Sequence, residues 1–531
     1  MEKALGALPV VAEFCRRLDI VGIVDRACPI RNVAAATHGQ VIEALVANRL
    51  TSPTPLVRVE DWARAWAVTE VLGLAPEVLN DDRIGRALDK VAPHLETIVG
   101  SIGLKAVTTF GIDVSRIHWD MTSISLFGAY EHKAEDFAKP RYGHPKDRRP
   151  DLLQVQTGLG VTGDGGVPIH HSVYDGGAGE VAQVVPAMEA LRKIAGEKRF
   201  LMVGDSKLIS YPNLCALVEA KVRFVAPASK AYVPASELAA CDLERATLVD
   251  YVAERDQNRD SEELESWRVT DDTLVISGPR KSDPRLHLRK VFVWSSARAA
   301  AAKVARDKKL ARAQGDLERL VRGLGGRHYP SETEVTERIA VIARTRRVKA
   351  YLITEVGSDS NGKPTLTYRF DQAALIAEAA TDGWYALLSN LDPSEADAEE
   401  VLRLYKGQEV VERRYGNFKG PLAVAPMFLK NNRRIEALIS VICLALLIFS
   451  LVERAVRLAL SPEIRLAGLW AGRPAKPTGR LIFGALSQLR LVPASDKGPA
   501  KIPRPPPLQT RLLELLAVDP RQVRQKERHS P

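Results

Sequence analysis

Residues Ala437 to Val452 form an uninterrupted run of apolar or small side chains, with Arg433, Arg434 and Glu436 before it and Glu453, Arg454 and Arg457 after it. Water is a poor solvent for such a run, and a bilayer crossing takes about 20 residues, more than the run supplies. The expectation is therefore a helix buried inside protein, packing the segment before it onto a sheet. A chain of 531 residues with 46% hydrophobic content has ample length for several domains with buried cores. No membrane partner is expected.

The sheet is legible upstream. The run Arg116 to Leu126 reads as a strand carrying Asp120, and Arg199 to Val203 reads as another that leads into Asp205. Between them, Leu152 to Val161 and Val167 to Tyr174 are β-rich and flank Thr162-Gly163-Asp164-Gly165-Gly166, a hairpin turn signal. A helical pattern over Val181 to Gly196 crosses to the strand before Asp205. After a helix over Tyr211 to Ala220, a strand over Val222 to Pro227 completes a five-stranded mixed sheet in ribonuclease H-like order. The fold class is α/β. The literal G-x-G-x-x-G of Gly158 to Gly163 is discounted as a dinucleotide site, because a strand rather than a helix follows it.

Further on, Asp392, Pro393 and Glu395 form a helix-start signature. The helix expected from there carries Tyr405, Gln408, Glu412 and Lys419 at offsets of three, four and seven, which stacks them on one face. An anionic polymer laid along it would meet a phenol, an amide, a carboxylate and an ammonium in turn.

That spacing, with Asp120 and Asp205 upstream, resembles the signature of bacterial insertion-sequence transposases of the DDE class, with Gln408 where the family usually has Arg. The resemblance implies that Asp120, Asp205 and Glu412 are the catalytic triad and ligate two Mg²⁺ ions, with Mn²⁺ as a substitute. Hard cations want oxygen ligands, and one or two carboxylates per ion suffice. It further implies DNA contacts from Tyr405, Gln408, Lys419, Arg413 and Arg414. The partners would be terminal inverted repeats and target DNA, with a homodimer in the active complex. Two other classes stay open: a ribonuclease H-like nuclease without strand transfer, and a DNA-binding derivative without activity.

Five regions are expected. Residues 1–107 are helical by pattern, with Asn80 set to cap a helix containing Ile84, Leu88 and Val91. Here too the chain resembles one branch of these transposases, which implies DNA-end binding or dimerisation; a structural cap is the alternative. Residues 108–229 hold the first part of the core and 383–495 the second. Residues 230–382 are too long for a structureless loop and must fold as an insertion, mixed and partly β. Its helix over Ala297 to Leu324 carries Lys303, Lys308 and Arg312, which read equally as DNA contacts or as a solvated face. Residues 496–531 are a basic, Pro-rich tail.

A net charge of +10 suits a polyanion such as DNA. Five scattered cysteines without C-x-x-C spacing argue against a zinc site and fit a reducing cytoplasm, here beside the nucleoid. The adjacent His170 and His171 point to opposite faces of a strand and read as structural.

Overall fold

The computed structural model describes residues 2–521 apart from 32–33, 129, 131–133, 144, 254–255, 257–259, 261–263, 426, 428 and 495–498. The chain divides into two compact units, residues 1–223 with 406–531 and residues 224–405.

The first unit opens with helices: α1 (Leu8–Arg17), α2 (Ile20–Ala27), α3 (His38–Thr51), α4 (Asp81–Val91) and α5 (Leu95–Phe110). The apolar stripe over Leu8 to Ile23 is split between two helices, because Asp19 adopts a left-handed conformation (φ 53°). Thr37 and Gln40 form a reciprocal capping box on α3. Asn80 caps α4 as expected, accepting from the Arg83 N–H at 2.9 Å. Each cap satisfies backbone donors that have no partner within the helix.

Strands β1 (Arg116–Leu126), β2 (Leu153–Thr162) and β3 (Pro168–Tyr174) then form an antiparallel meander. Helix α6 (Glu180–Ala195) crosses to β4 (Leu201–Val203), which runs parallel to β1, and α7 (Tyr211–Glu219) follows. The order β3-β2-β1-β4 is that of a ribonuclease H-like sheet. The hairpin between β2 and β3 needs glycine at Gly165 and Gly166, which have φ of +73° and +65°. A Cβ on either would also press into Arg454 or into Val410 and Arg414.

The expected fifth strand forms as β5 (Arg223–Pro227) and carries the chain into the second unit. There β6 (Thr247–Val249), β7 (Trp267–Ile276) and β8 (Leu286–Ser295) are followed by the long α8 (Ser296–Arg322). Next come α9 (Glu332–Arg346), the hairpin β9 (Leu352–Ser358) and β10 (Pro364–Phe370), strand β11 (Trp384–Ser389) and α10 (Ala398–Lys406). Strands β5, β11, β8, β7 and β6 pair in that order, each antiparallel to the next. Leu317, Leu320, Val335, Ile339, Ile342 and Leu366 form a core of their own between α8, α9 and the hairpin. The second unit therefore runs past the expected insertion at both ends. Its C-terminal strand is the reason: Trp384 to Ser389 pairs residue for residue with Trp294 back to Arg289.

The chain returns to the first unit with α11 (Glu409–Lys419) and α12 (Asn432–Leu460). Helix α12 spans 29 residues, longer than the apolar run and long enough to cross a bilayer, but 94% of its most apolar window is buried in the protein. It packs against α3, α4, β3 and α11, so it is the core helix expected from the run's composition. A short helix, Pro507–Leu515, follows the Pro-rich segment, and the tail beyond Arg521 lies outside the described residues.

Candidate active site

Parallel pairing of β1 with β4 brings the two aspartates near one another. His118 of β1 is opposite Val203 of β4, and Asp120 and Asp205 each lie two residues beyond that pair. The Asp120 side chain keeps only 16% of its surface exposed, and Lys146 sets its ammonium 3.5 Å from both carboxylate oxygens. Lys146 is held there by its own backbone, whose N–H donates to Ser123 Oγ at 2.9 Å, and by an ammonium hydrogen bond to the Met121 carbonyl. Asp205 accepts from the Lys207 N–H at 2.8 Å in the turn after β4.

Burial pushes the Asp120 carboxyl up to about 6, against the pull of Lys146, and the charges of Asp205 and Glu180 push it the same way. Glu180, the first residue of α6, is itself raised by burial and by Asp205. Sequence reasoning missed Glu180. A carboxylate at a helix start reads as a complement to the helix dipole, and only the crossover of α6 brings it toward the aspartates. Carboxylates that raise one another in this way gain from a cation between them, so the donor chemistry fits a hard divalent ion. Among the described residues, however, no three His, Cys, Asp or Glu side chains converge closely enough to hold a metal. The expected three-carboxylate cage is thus not assembled, and Glu412 stands on the exposed side of α11.

The helix of Glu412 differs from expectation. It is broken: α10 ends at Lys406, Gly407 and Gln408 form a turn, and α11 begins at Glu409. Asp392 and Glu395 close a separate turn, with the Asp392 N–H donating to Glu395 and the Ser394 N–H to Asp392. Asp397 starts α10 instead, accepting from the Glu400 N–H at 2.7 Å. Glycine is a poor helix residue, and here it falls in the gap between Tyr405 and Gln408. Tyr405 consequently belongs to the second unit, its ring 6.4 Å from that of Tyr385, and does not share a helix with Glu412.

Gln408, Glu412, Tyr415 and Lys419 still fall within an arc of about 60°, at 100° per residue. Two of them pin α11 to β1. The Gln408 amide donates to the Trp119 carbonyl at 3.2 Å, and its oxygen lies 3.1 Å from His118 Nδ1. Burial lowers the His118 imidazole to about 4, so it is neutral and its Nδ1–H is the donor to Gln408. An arginine at this position would offer no acceptor for that Nδ1–H and could keep the pair only with the other imidazole tautomer. The Tyr415 hydroxyl lies 2.6 Å from the Asp120 carbonyl and 3.1 Å from that of Thr157. Glu412 sits between these two attachments. Lys419 follows, its ammonium depressed by burial and opposed by the charges of Asp147 and Asp120.

The remaining expected DNA contacts separate. Arg414 is 2% exposed and binds the Gly166 and Gly165 carbonyls at 2.6 and 2.7 Å and Glu453 at 3.1 Å. It holds α11 to the hairpin and to α12 and is closed to DNA, whereas Arg413 is exposed. Lys303, Lys308 and Arg312 are exposed on α8. Lys308 and Arg312 lie about 40° apart around that helix, while Lys303 is turned about 140° from Lys308. They do not form one face. His170 and His171 are buried, and burial lowers them to about 4 and about 3.

The fold and site define a mixed α/β protein with a ribonuclease H-like strand order and an acidic pair at its sheet. Residues 1–99 match a family described as a domain of unknown function, DUF4277. No curated protein matches the chain. Among solved structures, the chain aligns with a piggyBac transposase in a synaptic complex with hairpin DNA, at 10% identity and a TM-score of 0.38, over 90% of this chain and 79% of that one. A TM-score this low defines neither fold nor activity.

Proposed function

We propose that this protein is a DDE transposase of a bacterial insertion sequence, cutting DNA at the element's ends and joining the freed 3′-hydroxyl to target DNA. The observation that carries the reading is the placement of Asp120 on β1 and Asp205 just beyond the end of β4, its parallel neighbour, with α11 pinned to β1 on either side of Glu412. It joins the helix of Glu412 to the sheet of the two aspartates in the first unit, without Tyr405.

In this reading Asp120 and Asp205 would hold Mg²⁺, and Glu412, which does not converge on them in this structure, would be the ligand recruited from α11 when metal and DNA bind. Two carboxylates with water and substrate phosphate are a usual Mg²⁺ environment, so the pair alone begins a site. When bound, the ions activate the attacking water or 3′-hydroxyl and stabilise the leaving oxygen. Water attacks a phosphodiester and releases a 3′-hydroxyl; that hydroxyl then attacks a second phosphodiester, one P–O bond forming as another breaks. Lys419 holds a DNA phosphate beside Asp120. Gln408 and Tyr415 act as positioning residues that fix the register of Glu412.

The test is a cleavage and strand-transfer assay with the full chain, Mg²⁺, a duplex carrying an element end and a target plasmid. Joined products are expected. Cleavage without joining would make the protein a nuclease, and neither product would remove the reading.

A further inference from the structure

A second cationic site lies away from the acidic pair. Helix α4 turns Ile84, Ala87, Leu88 and Val91 into the core. Arg83, Arg86 and Lys90, at offsets of three, four and seven, then share an arc of about 60° on its other side and span about 10 Å along the axis. With Arg31 they line an open cavity of about 1060 Å³, whose lining also includes Ala34 to Ala36 of the segment before α3 and His38 at the start of α3.

The cavity is built to hold its charges in place. Arg83 donates to the Ala36 carbonyl at 2.9 Å and lies 3.3 Å from His38 Nδ1, so its guanidinium is oriented by neutral groups. Burial and the neighbouring Arg86 both weigh against the charge of Arg83, and burial likewise keeps His38 neutral. Three carboxylates lie near: Asp89 and Glu77 line the cavity too, and the charge of Asp25, which accepts from the Gly39 N–H at 2.7 Å, favours that of Arg83. Asp89 binds Arg434 at 3.1 and 2.7 Å and Arg433 at 3.2 Å, and Glu77 lies 3.7 Å from Arg64. Asp81 and Asp82 sit in the first turn of α4, outside the lining, where they complement the helix dipole. Among the described residues no carboxylate pairs with Arg31, Arg83, Arg86 or Lys90. Like charges gathered on one helix repel, and an anion in the cavity would relieve that cost.

We propose that this cavity is a binding site for the phosphodiester backbone of duplex DNA. One phosphate would leave most of the volume empty and could not meet cations about 10 Å apart, whereas DNA presents successive phosphates about 3.4 Å apart along each strand. The guanidiniums suit phosphate oxygens because they offer paired donors in one plane. The choice of DNA rests on the proposed function; the anion-binding character rests on the cavity alone.

The experiment measures binding of the full chain to a fluorescent duplex by anisotropy between 50 and 300 mM salt, for the wild type and Arg31→Gln, Arg86→Gln and Lys90→Gln singly and together. These three residues are exposed, so the variants should fold, and circular dichroism and melting confirm it. Each lost contact should lower the slope of log K against log salt by about 0.9, and the triple variant by about 2.7. An unchanged slope, or no binding of duplex by the wild type, overturns the proposal. Asp120→Asn is the control for the active site and should keep the wild-type slope. Intact cleavage with an unchanged triple-variant slope removes the cavity site alone. A reduced slope in a protein that never cleaves removes the transposase reading and leaves the DNA site.

Discussion

Asp120→Asn should make the metal-free protein more stable at neutral pH, although it removes a residue proposed to be essential. Burial raises the Asp120 carboxyl from 3.8 to about 6, so the folded protein binds that proton more tightly than the unfolded chain does. The favourable contribution is full below pH 3.8 and is lost as pH rises to about 6; above that, the bare carboxylate costs roughly 3 kcal/mol at 1.36 kcal/mol per pH unit. Asparagine is never charged and carries no such cost; the attraction of Lys146, which is half exposed, is already contained in the value of about 6. The expectation is a gain of roughly 3 kcal/mol at pH 7.5 that disappears by pH 4. Thermal melts with EDTA at both pH values measure it. Mg²⁺ should then raise the melting temperature of the wild type more than that of Asp120→Asn, because the variant has lost one of the two carboxylates that begin the site. A metal-free variant that melts below the wild type at pH 7.5 would refute the argument that Asp120 is held at a cost.

Tyr415→Phe removes the hydroxyl shared by the Asp120 and Thr157 carbonyls and should cost about 1–2 kcal/mol. Cleavage should fall at least tenfold while DNA affinity is kept; a stability loss with normal cleavage would deny Tyr415 its positioning role. On α8, Lys308→Glu with Arg312→Glu should lower the salt slope of DNA binding by about 1.8 if these neighbours contact phosphates. Lys303→Glu, on another side of the helix, should change it little. Equal effects from Lys303 and from the pair would mean that α8 contributes only diffuse charge.

Local patterns made part of this site legible. Asp120 and Asp205 were readable because the first lies within a β-rich run and the second just after one, and Asn80 because a cap is a contact between near neighbours. The break at Gly407 was not. The residues Asp392, Pro393 and Glu395 satisfy a helix-start pattern, yet they close a turn, and a second cap at Asp397 starts a helix that Gly407 ends. Arg414 looked like a surface cation because its partners, the Gly165 and Gly166 carbonyls and Glu453, lie roughly 250 residues before it and 39 after it. Glu180 and Lys146 come to Asp120 through crossovers and loops, which no periodicity records. Helix α9 was overlooked in the insertion, where its apolar residues Val335, Ile339 and Ile342 recur at helical spacing between charges.

The central claim is that Asp120, Asp205 and Glu412 serve one chemical step and not DNA binding. The measurement pairs a cleavage assay with a gel shift on the same end-bearing duplex, for the wild type and for Asp120→Asn, Asp205→Asn and Glu412→Gln. Each isostere keeps its size and loses one negative charge, so cleavage should fall by at least a hundredfold while binding stays within about threefold. Double variants should be scarcely worse than singles, as expected of groups that act as a unit. Near-normal cleavage by any one of the three would take that residue out of the site, and near-normal cleavage by Glu412→Gln would break the link between α11 and the acidic pair.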